Sequence, residues 1–390
     1  MERADVVVIG GGVMGTSIAF NLARRRAGRV VLLEKNAICS GTSAKSSAVI
    51  RTHYTTRPTA QMALVARGIF ERWADEVGGE CGFVRTGMLF VGPPENRDRV
   101  EQTLRMNQEV GIEASLIGPD EVREISPHIR IPEGAAVVYE SRSGYGSPHE
   151  VASSFARRFT EFGGDLRQST PVTAIDTQGG RVRAVRTPRG EIAAAHVVIA
   201  AGPWAHPVGR LAGLDLPVTA SREQIVTLRP TFDWSPTHPV TGDLQNEVYL
   251  RPETGGLILV GNTRDTIDRG DPDHYEDRPN AEYTTEILTR LVRLMPDAAT
   301  AAITGGWSGM YEVSPDWNPI MGTATDVVGL HYAAGFSGHG FKLSPVVGIL
   351  MAEQILDGRA LTIDITPYRL EWFQEGQQPR VAYKGAGVMG

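Results

Sequence analysis

Cysteine is nearly absent: the 390 residues contain two, Cys39 and Cys81. Two thiols cannot build a disulfide framework or supply a four-ligand zinc site, and no metal site is expected. No cleavable signal is read at the N-terminus, so the expectation is a reduced, cytoplasmic protein. Lysine is almost as scarce, at 4 residues against 35 arginines. Like charges never run longer than Arg24-Arg25-Arg26, and the net charge is −6. That leaves no basic stripe for a nucleic acid. Long apolar runs are missing as well. The best candidate, residues 6–23, is broken by Gly10, Gly11, Gly12 and Gly15, which suits a strand, turn and helix rather than a membrane span. No internal repeat is found, and no G-x-S-x-G, H-E-x-x-H or P-loop motif.

Glycine, by contrast, is plentiful: 44 of 390 residues, about 11% where ~7% is usual. Either the chain is rich in loops or its backbone approaches something closely at several places. Hydrophobic residues at 41% and charged residues at 22% are ordinary globular values. The length predicts two domains or one large interleaved pair, at ~150 residues per domain.

Residues 6–9 are an all-aliphatic run, the pattern of a strand buried on both faces of a parallel sheet. A helix over 14–26 and an aliphatic strand over 30–33 complete a βαβ unit with a right-handed crossover. Further strands are predicted over 172–176, 181–187, 191–199 and 327–334, and a helix over 343–356. Three aliphatic strands thus end in glycine loops, at Gly10, Gly202 and Gly335, and belong to one domain. Between them lie strands over 87–91, 218–229, 247–251 and 256–261, and helices over 95–110, 119–125, 148–163 and 281–295. The expected division is 1–86, 146–217 and 326–378 for a nucleotide domain and 87–145 and 218–325 for a substrate domain, with a loose tail at 379–390.

Gly10-Gly11-Gly12-Val13-Met14-Gly15 satisfies G-x-G-x-x-G directly after a strand and at the opening of a helix. Gly10 permits the tight turn, Gly12 lets backbone approach a pyrophosphate, and Gly15 lets helix pack on strand. The helix N-terminus offers N–H groups and a positive dipole end to phosphates. Glu34, 19 residues after Gly15, sits where a carboxylate accepts ribose hydroxyls. A bare glycine turn is the competing reading, and the strand context and the placed acid argue against it. The motif leaves NAD and FAD open. Residues 41–54, GTSAKSSAVIRTHY, are rich in small hydroxyl side chains and suit a ligand threaded along them.

With these segments the chain resembles the FAD-dependent amine oxidase family of sarcosine oxidase, its β subunit and dimethylglycine dehydrogenase, within the D-amino-acid-oxidase-like superfamily. The resemblance also rests on Ala200-Ala201-Gly202-Pro203-Trp204, on Gly306 to Tyr311 with Ser314-Pro315-Asp316, and on Gly335 to Lys342. It implies an α/β fold, a Rossmann-type FAD-binding domain interleaved with a mixed or antiparallel-sheet substrate domain, with the flavin between them. By the same resemblance FAD is held by Gly10, Gly12, Val13, Met14, Gly15, Glu34 and Lys35, and by Thr42, Ser43, Lys45, Ser46 and Ser47. Val172, Ala201, Gly202 and Trp204 continue the set, and Gly338, His339, Gly340, Phe341 and Lys342 close it. By that resemblance Arg51 and Lys342 bind a substrate carboxylate; Tyr249 and Tyr311 are candidates to point into the pocket, with simple packing as the competing reading.

The implied activity is oxidation of the C–N bond of a small secondary amine or amino acid bearing a carboxylate, with hydride passing to flavin N5 and the imine hydrolysed in water. Sarcosine, other N-methyl amino acids, proline-like imino acids and glycine are consistent substrates. No cysteine follows Cys81, and Lys45 stands where relatives carry a flavin-linking histidine, so FAD is expected to be non-covalent. The lysine that promotes oxygen reactivity in monomeric sarcosine oxidase falls near Ile258. The electron acceptor stays open among oxygen, a quinone and a partner subunit. Alternatives are a subunit of a hetero-oligomeric dehydrogenase, a biosynthetic oxidase and, last, a nucleotide-binding module without turnover. Tyr54 is a further pocket candidate. His128, His149 and His206 are expected to serve structure, and Asp265, Asp268, Asp271 and Asp273 a solvated loop.

Overall fold

The structure, a computed structural model, describes residues 2–375, and the expected tail at 379–390 lies outside them. The aliphatic strand Glu2–Ile9 lies between Val30–Leu33 and Gly190–Ile199, parallel to both, with Ile9 beside Leu33 and Ile199. Leu330–Ala334 pairs parallel to Gly190–Ile199 on its other side. The three strands expected to end in glycine loops are therefore neighbours, and their carboxyl ends open at one edge. That edge is where open α/β sheets bind ligands. Asp165–Arg167, Ala174–Gln178, Arg181–Thr187 and Ile320–Thr323 complete this sheet. Ile320–Thr323, upstream of the boundary expected at 325–326, pairs with Leu330–Ala334 in this sheet. One face of the sheet is covered by the helices Val13–Arg24 and Gly340–Leu356, whose apolar sides share one core with Val6, Val8 and Leu32.

The second sheet is mixed and also eight-stranded, running from Ala302–Val313 through Thr219–Arg229, Leu257–Asn262, Val248–Glu253, Val240–Asp243, Met88–Gly92 and Ala136–Glu140 to Ser115–Ile117. Only the Val240–Asp243 and Met88–Gly92 pair is parallel. The helix Ala281–Leu294 seals its outer face with Ile287, Leu291 and Leu294. A small third sheet of Val49–Ile50, Gly144–Tyr145 and Val84–Arg85 links the two.

Several local expectations shift. The strand expected over 172–176 is displaced to Ala174–Gln178, although Thr173 N–H already donates to Arg186 O at 2.9 Å. The helix expected from 343 begins at Gly340 and takes Phe341 and Lys342 into its first turn. Pro345 cannot donate to Phe341 O, and the Ser344 hydroxyl does so instead at 2.8 Å. Several elements carry no expectation in the sequence, and two of them are long. The helix Arg57–Glu71 buries Ala60, Met62, Ala63 and Phe70, and Ala302–Val313 is the longest strand among the described residues.

Candidate active site

A cavity of about 640 Å³ runs from the carboxyl edge of the first sheet to the inner face of the second. Its first stretch is the turn after Glu2–Ile9. Gly10 has φ +113° and would place a Cβ 2.3 Å from Ala200 O, so only glycine fits between the two strand ends. Gly12 starts the helix Val13–Arg24 without a capping side chain. Val13 N–H donates to Ser43 Oγ at 3.1 Å, tying the helix start to the hydroxyl-rich segment. Glu34 accepts from Gly11 N–H at 2.6 Å and from Asn36 N–H at 2.8 Å. An ionised carboxylate keeps further lone pairs for hydroxyl donors. An open helix end beside a fixed carboxylate offers the donors and the acceptor that a dinucleotide requires.

Gly10, Gly12, Val13 and Met14 line the cavity, as do Glu34, Lys35, Thr42, Ser43, Lys45, Ser46 and Ser47. Val172, Ala201, Gly202 and Trp204 do so from the far side, and Gly338, Gly340 and Phe341 from the last glycine loop. Gly15 stands behind the wall, where a Cβ would lie 1.8 Å from Gly10 O. Its role is the packing of helix on strand.

The second sheet closes the cavity with Tyr249 and Tyr311. Burial pushes the Tyr249 phenol up to about 12 and the Tyr311 phenol well above its ordinary value, so both stay neutral hydrogen-bonding groups. The Thr42–Lys45 turn seats on the same sheet: Trp307 Nε1–H donates to Lys45 O at 2.9 Å. A Cβ at Gly309 would stand 2.6 Å from Lys45 Cβ.

Arg51, Lys342 and His339 are buried and are not among the residues that line this cavity. Arg51 is buried over the Tyr54 ring, 4.4 Å from its centroid, and donates to His53 O. Glu140 holds the residue after it, accepting from Thr52 N–H at 2.9 Å and Thr52 Oγ1 at 2.8 Å. Lys342 is buried nearby, and desolvation, with the Arg51 charge second, holds its ammonium pKa well below the ordinary lysine value. His339 packs edge-on against Tyr54 at 5.5 Å. Tyr54 itself is fully buried and leaves its hydroxyl without a hydrogen bond among the described residues.

Neither cysteine is prepared for attack. Both are buried, which pushes Cys39 up to about 12 and Cys81 to about 11, and a protonated thiol is a poor nucleophile. Ile258 sits in the apolar layer on the outer side of the second sheet with Val226 and Leu250. His128 bonds Asp297 at 2.7 Å, and His206 bonds Leu216 O at 3.0 Å.

Three acids of the cavity wall carry no assignment in the sequence. Glu223 and Glu312 line the wall, and burial pushes each up to about 8. Asp273 lies in an exposed loop, as expected, and there it pairs with Lys35 Nζ at 2.5 Å and accepts from Trp204 Nε1–H at 3.0 Å, while Lys35 lies 3.8 Å from the Trp204 ring centroid. The signal for Glu223 is confined to its strand phase, which puts it on one sheet face with Ser221 and Ile225 without saying that this face meets a cavity. Asp273 gives no such signal, because its partners are 69 and 238 residues away.

A profile of the FAD dependent oxidoreductase family matches residues 5–354. The glycine oxidase of Geobacillus kaustophilus (strain HTA426) is 29% identical over 379 residues, covering 95% of this chain and 97% of that protein. The sarcosine oxidase subunit beta of Arthrobacter sp is 28% identical, covering 95% and 91%. The crystal structure of L-proline dehydrogenase from P. horikoshii superposes with a TM-score of 0.89 at 27% identity, over 97% of this chain and all of that one. Among the described residues no helix is long and apolar enough to cross a membrane.

Proposed function

The chain belongs to the FAD-dependent oxidoreductase family, and we propose that it oxidises the C–N bond of a small amino or imino acid bearing a carboxylate. FAD is its cofactor, and it is an enzyme of the glycine and sarcosine oxidase type, acting on amines or amino acids. The observation that carries the finer reading is the buried pair of Arg51 and Lys342. Lys342 has no hydrogen bond or ion pair among the described residues, and its charged form is disfavoured by burial and by Arg51. A carboxylate beside Lys342 and Arg51 relieves both of these penalties on Lys342 through charge-assisted hydrogen bonds.

When bound, FAD supplies the two-electron acceptor for hydride from the carbon next to nitrogen. Arg51 and Lys342 fix the carboxylate end of the substrate, and the neutral phenols of Tyr249 and Tyr311 wall off water and donate hydrogen bonds. The substrate nitrogen must lose its proton before it gives up hydride, so the rate rises with pH through the bound amine. Lys342 must keep its proton to hold the carboxylate, and its lowered pKa imposes the opposite, alkaline limb. Activity against pH is therefore bell-shaped.

The test is anaerobic mixing with glycine, N-methyl, cyclic and D-amino acids while flavin absorbance is followed. At least one carboxylate-bearing member bleaches the flavin. Lys342→Met retains FAD and loses substrate affinity about tenfold or more; unchanged affinity would sink the anchoring role. Similarity to a sarcosine oxidase subunit beta favours a second reading, in which a partner subunit takes the electrons. Isolated protein that bleaches but does not recolour in air supports that reading.

A further inference from the structure

Glu223 is an acid in the cavity wall that pairs with no cation among the described residues. It lies on Thr219–Arg229, directly opposite Gly309 on Ala302–Val313, with the Ser221 and Tyr311 pair next along the same face. Because Gly309 has no side chain, nothing on the neighbouring strand covers the Glu223 carboxyl. Ser221 Oγ donates to it at 3.2 Å and Asn262 Nδ2 at 3.3 Å. These two neutral contacts are long, and a buried carboxylate is left short of compensation. The groups around it do not supply it. Asp268 from the following segment repels, Tyr249, Tyr283 and Tyr311 are neutral phenols, and Lys45, seated over Gly309, makes no ion pair with it among the described residues. Arg222 alternates to the other face and donates to Glu276 O and Arg278 O.

The site thus holds an under-compensated acid and an under-compensated base, and Tyr311 feels the charges of both Glu223 and Arg51. An amino acid zwitterion is complementary to that pair. Resting on the reading of Arg51 and Lys342 as the carboxylate anchor, we propose that Glu223 receives the substrate's ammonium group and takes its proton. The site would then select zwitterionic amino and imino acids over nitrogen-free carboxylates and over neutral amines. In this step one N–H bond of the ammonium breaks and one O–H bond forms on a Glu223 oxygen. The nitrogen keeps the electron pair, total charge is unchanged, and no further reactant is needed. The elevated proton affinity of Glu223, with its pKa at about 8, brings it close enough to an amine for the transfer to be shared rather than uphill.

The experiment compares holoenzyme, Glu223→Gln and Glu223→Asp, all checked for bound FAD by absorbance. Two ligands are used: whichever of glycine, N-methylglycine and proline bleaches the wild-type flavin fastest, and the same molecule with its nitrogen replaced by CH2 or sulfur. Binding of the second is read from the flavin spectrum, without turnover. Glu223→Gln is expected to lose affinity for the amino acid at least tenfold and for the nitrogen-free analogue less than twofold. The rise of wild-type reduction efficiency with an apparent pKa near 8 is expected to vanish in Glu223→Gln and to persist, shifted, in Glu223→Asp. Equal losses for both ligands, or an unchanged pH profile, would overturn the Glu223 assignment alone. A wild type whose flavin responds to neither ligand would overturn the carboxylate-anchor reading and the assignment with it.

Discussion

Glu312 holds the last glycine loop by its carboxyl, which accepts from Gly335 N–H at 3.1 Å, while Glu312 O accepts from Ser337 N–H at 3.0 Å. The carboxyl is pushed by burial from 4.5 to about 8. Between those two values the folded state keeps a proton that the unfolded state has lost. The contribution of Glu312 to stability is therefore full below about 4.5 and lost as pH rises through about 8. Other buried groups titrate as well, so the quantity to measure is the difference between the wild type and Glu312→Gln. For the FAD-free proteins, the melting temperature of the wild type relative to the variant should fall from pH 5 to pH 8 and then level. Parallel curves would show that Glu312 does not carry this proton. At this scale the sequence was uneven. Glu34 was legible because its partner is a glycine motif at a fixed distance along a βαβ unit. Glu223 and Glu312 were not, because nothing in their local sequence says that the strands carrying them face a cavity.

Among the elements, Ala302–Val313 does most to shape the site. Its glycines hid it from a sequence reading, since glycine weakens strand propensity, yet those glycines are what the site requires. Gly309 admits the Thr42–Lys45 turn against the sheet, and Gly338, with φ +83°, lets the last loop lie against the Tyr311 ring. Gly309→Ala should push that turn outward, cost about 1–3 kcal/mol of stability and release FAD more readily. A thermal melt and the bound-flavin absorbance of the purified variant check this, and a variant that keeps both at wild-type values would remove the turn from the account. The βαβ strands were legible because a strand buried on both faces is a continuous aliphatic run. The helix Arg57–Glu71 follows the hydroxyl-rich segment, and its buried side is made largely of small residues, Ala60, Ala63 and Ala66, that give a weak periodic signal.

For the whole molecule, the cavity exists because the chain leaves the first sheet and returns to it, so that the two sheets close on one space. The Lys35, Trp204 and Asp273 clasp joins residues from both sides of that space across the cavity rim. Its ion pair is solvent-exposed and worth no more than about 1 kcal/mol. Asp273→Asn should accordingly speed FAD release by a few-fold at low salt and by less at high salt, where the wild-type pair is already screened. Flavin fluorescence after dilution measures this, and a salt-independent effect would place the cause elsewhere. The sequence by itself determined the dinucleotide turn and the acid that follows it, because these depend on contacts within about 30 residues and on strict backbone demands at glycine, and it marked the parallel strands because burial on both faces demands a continuous aliphatic run. The tertiary structure decided which acids line the cavity, that Arg51 and Lys342 are buried near one another, and that an aspartate from a polar loop closes the rim. Those outcomes depend on which strands become neighbours, and on the desolvation that follows, which local composition does not encode.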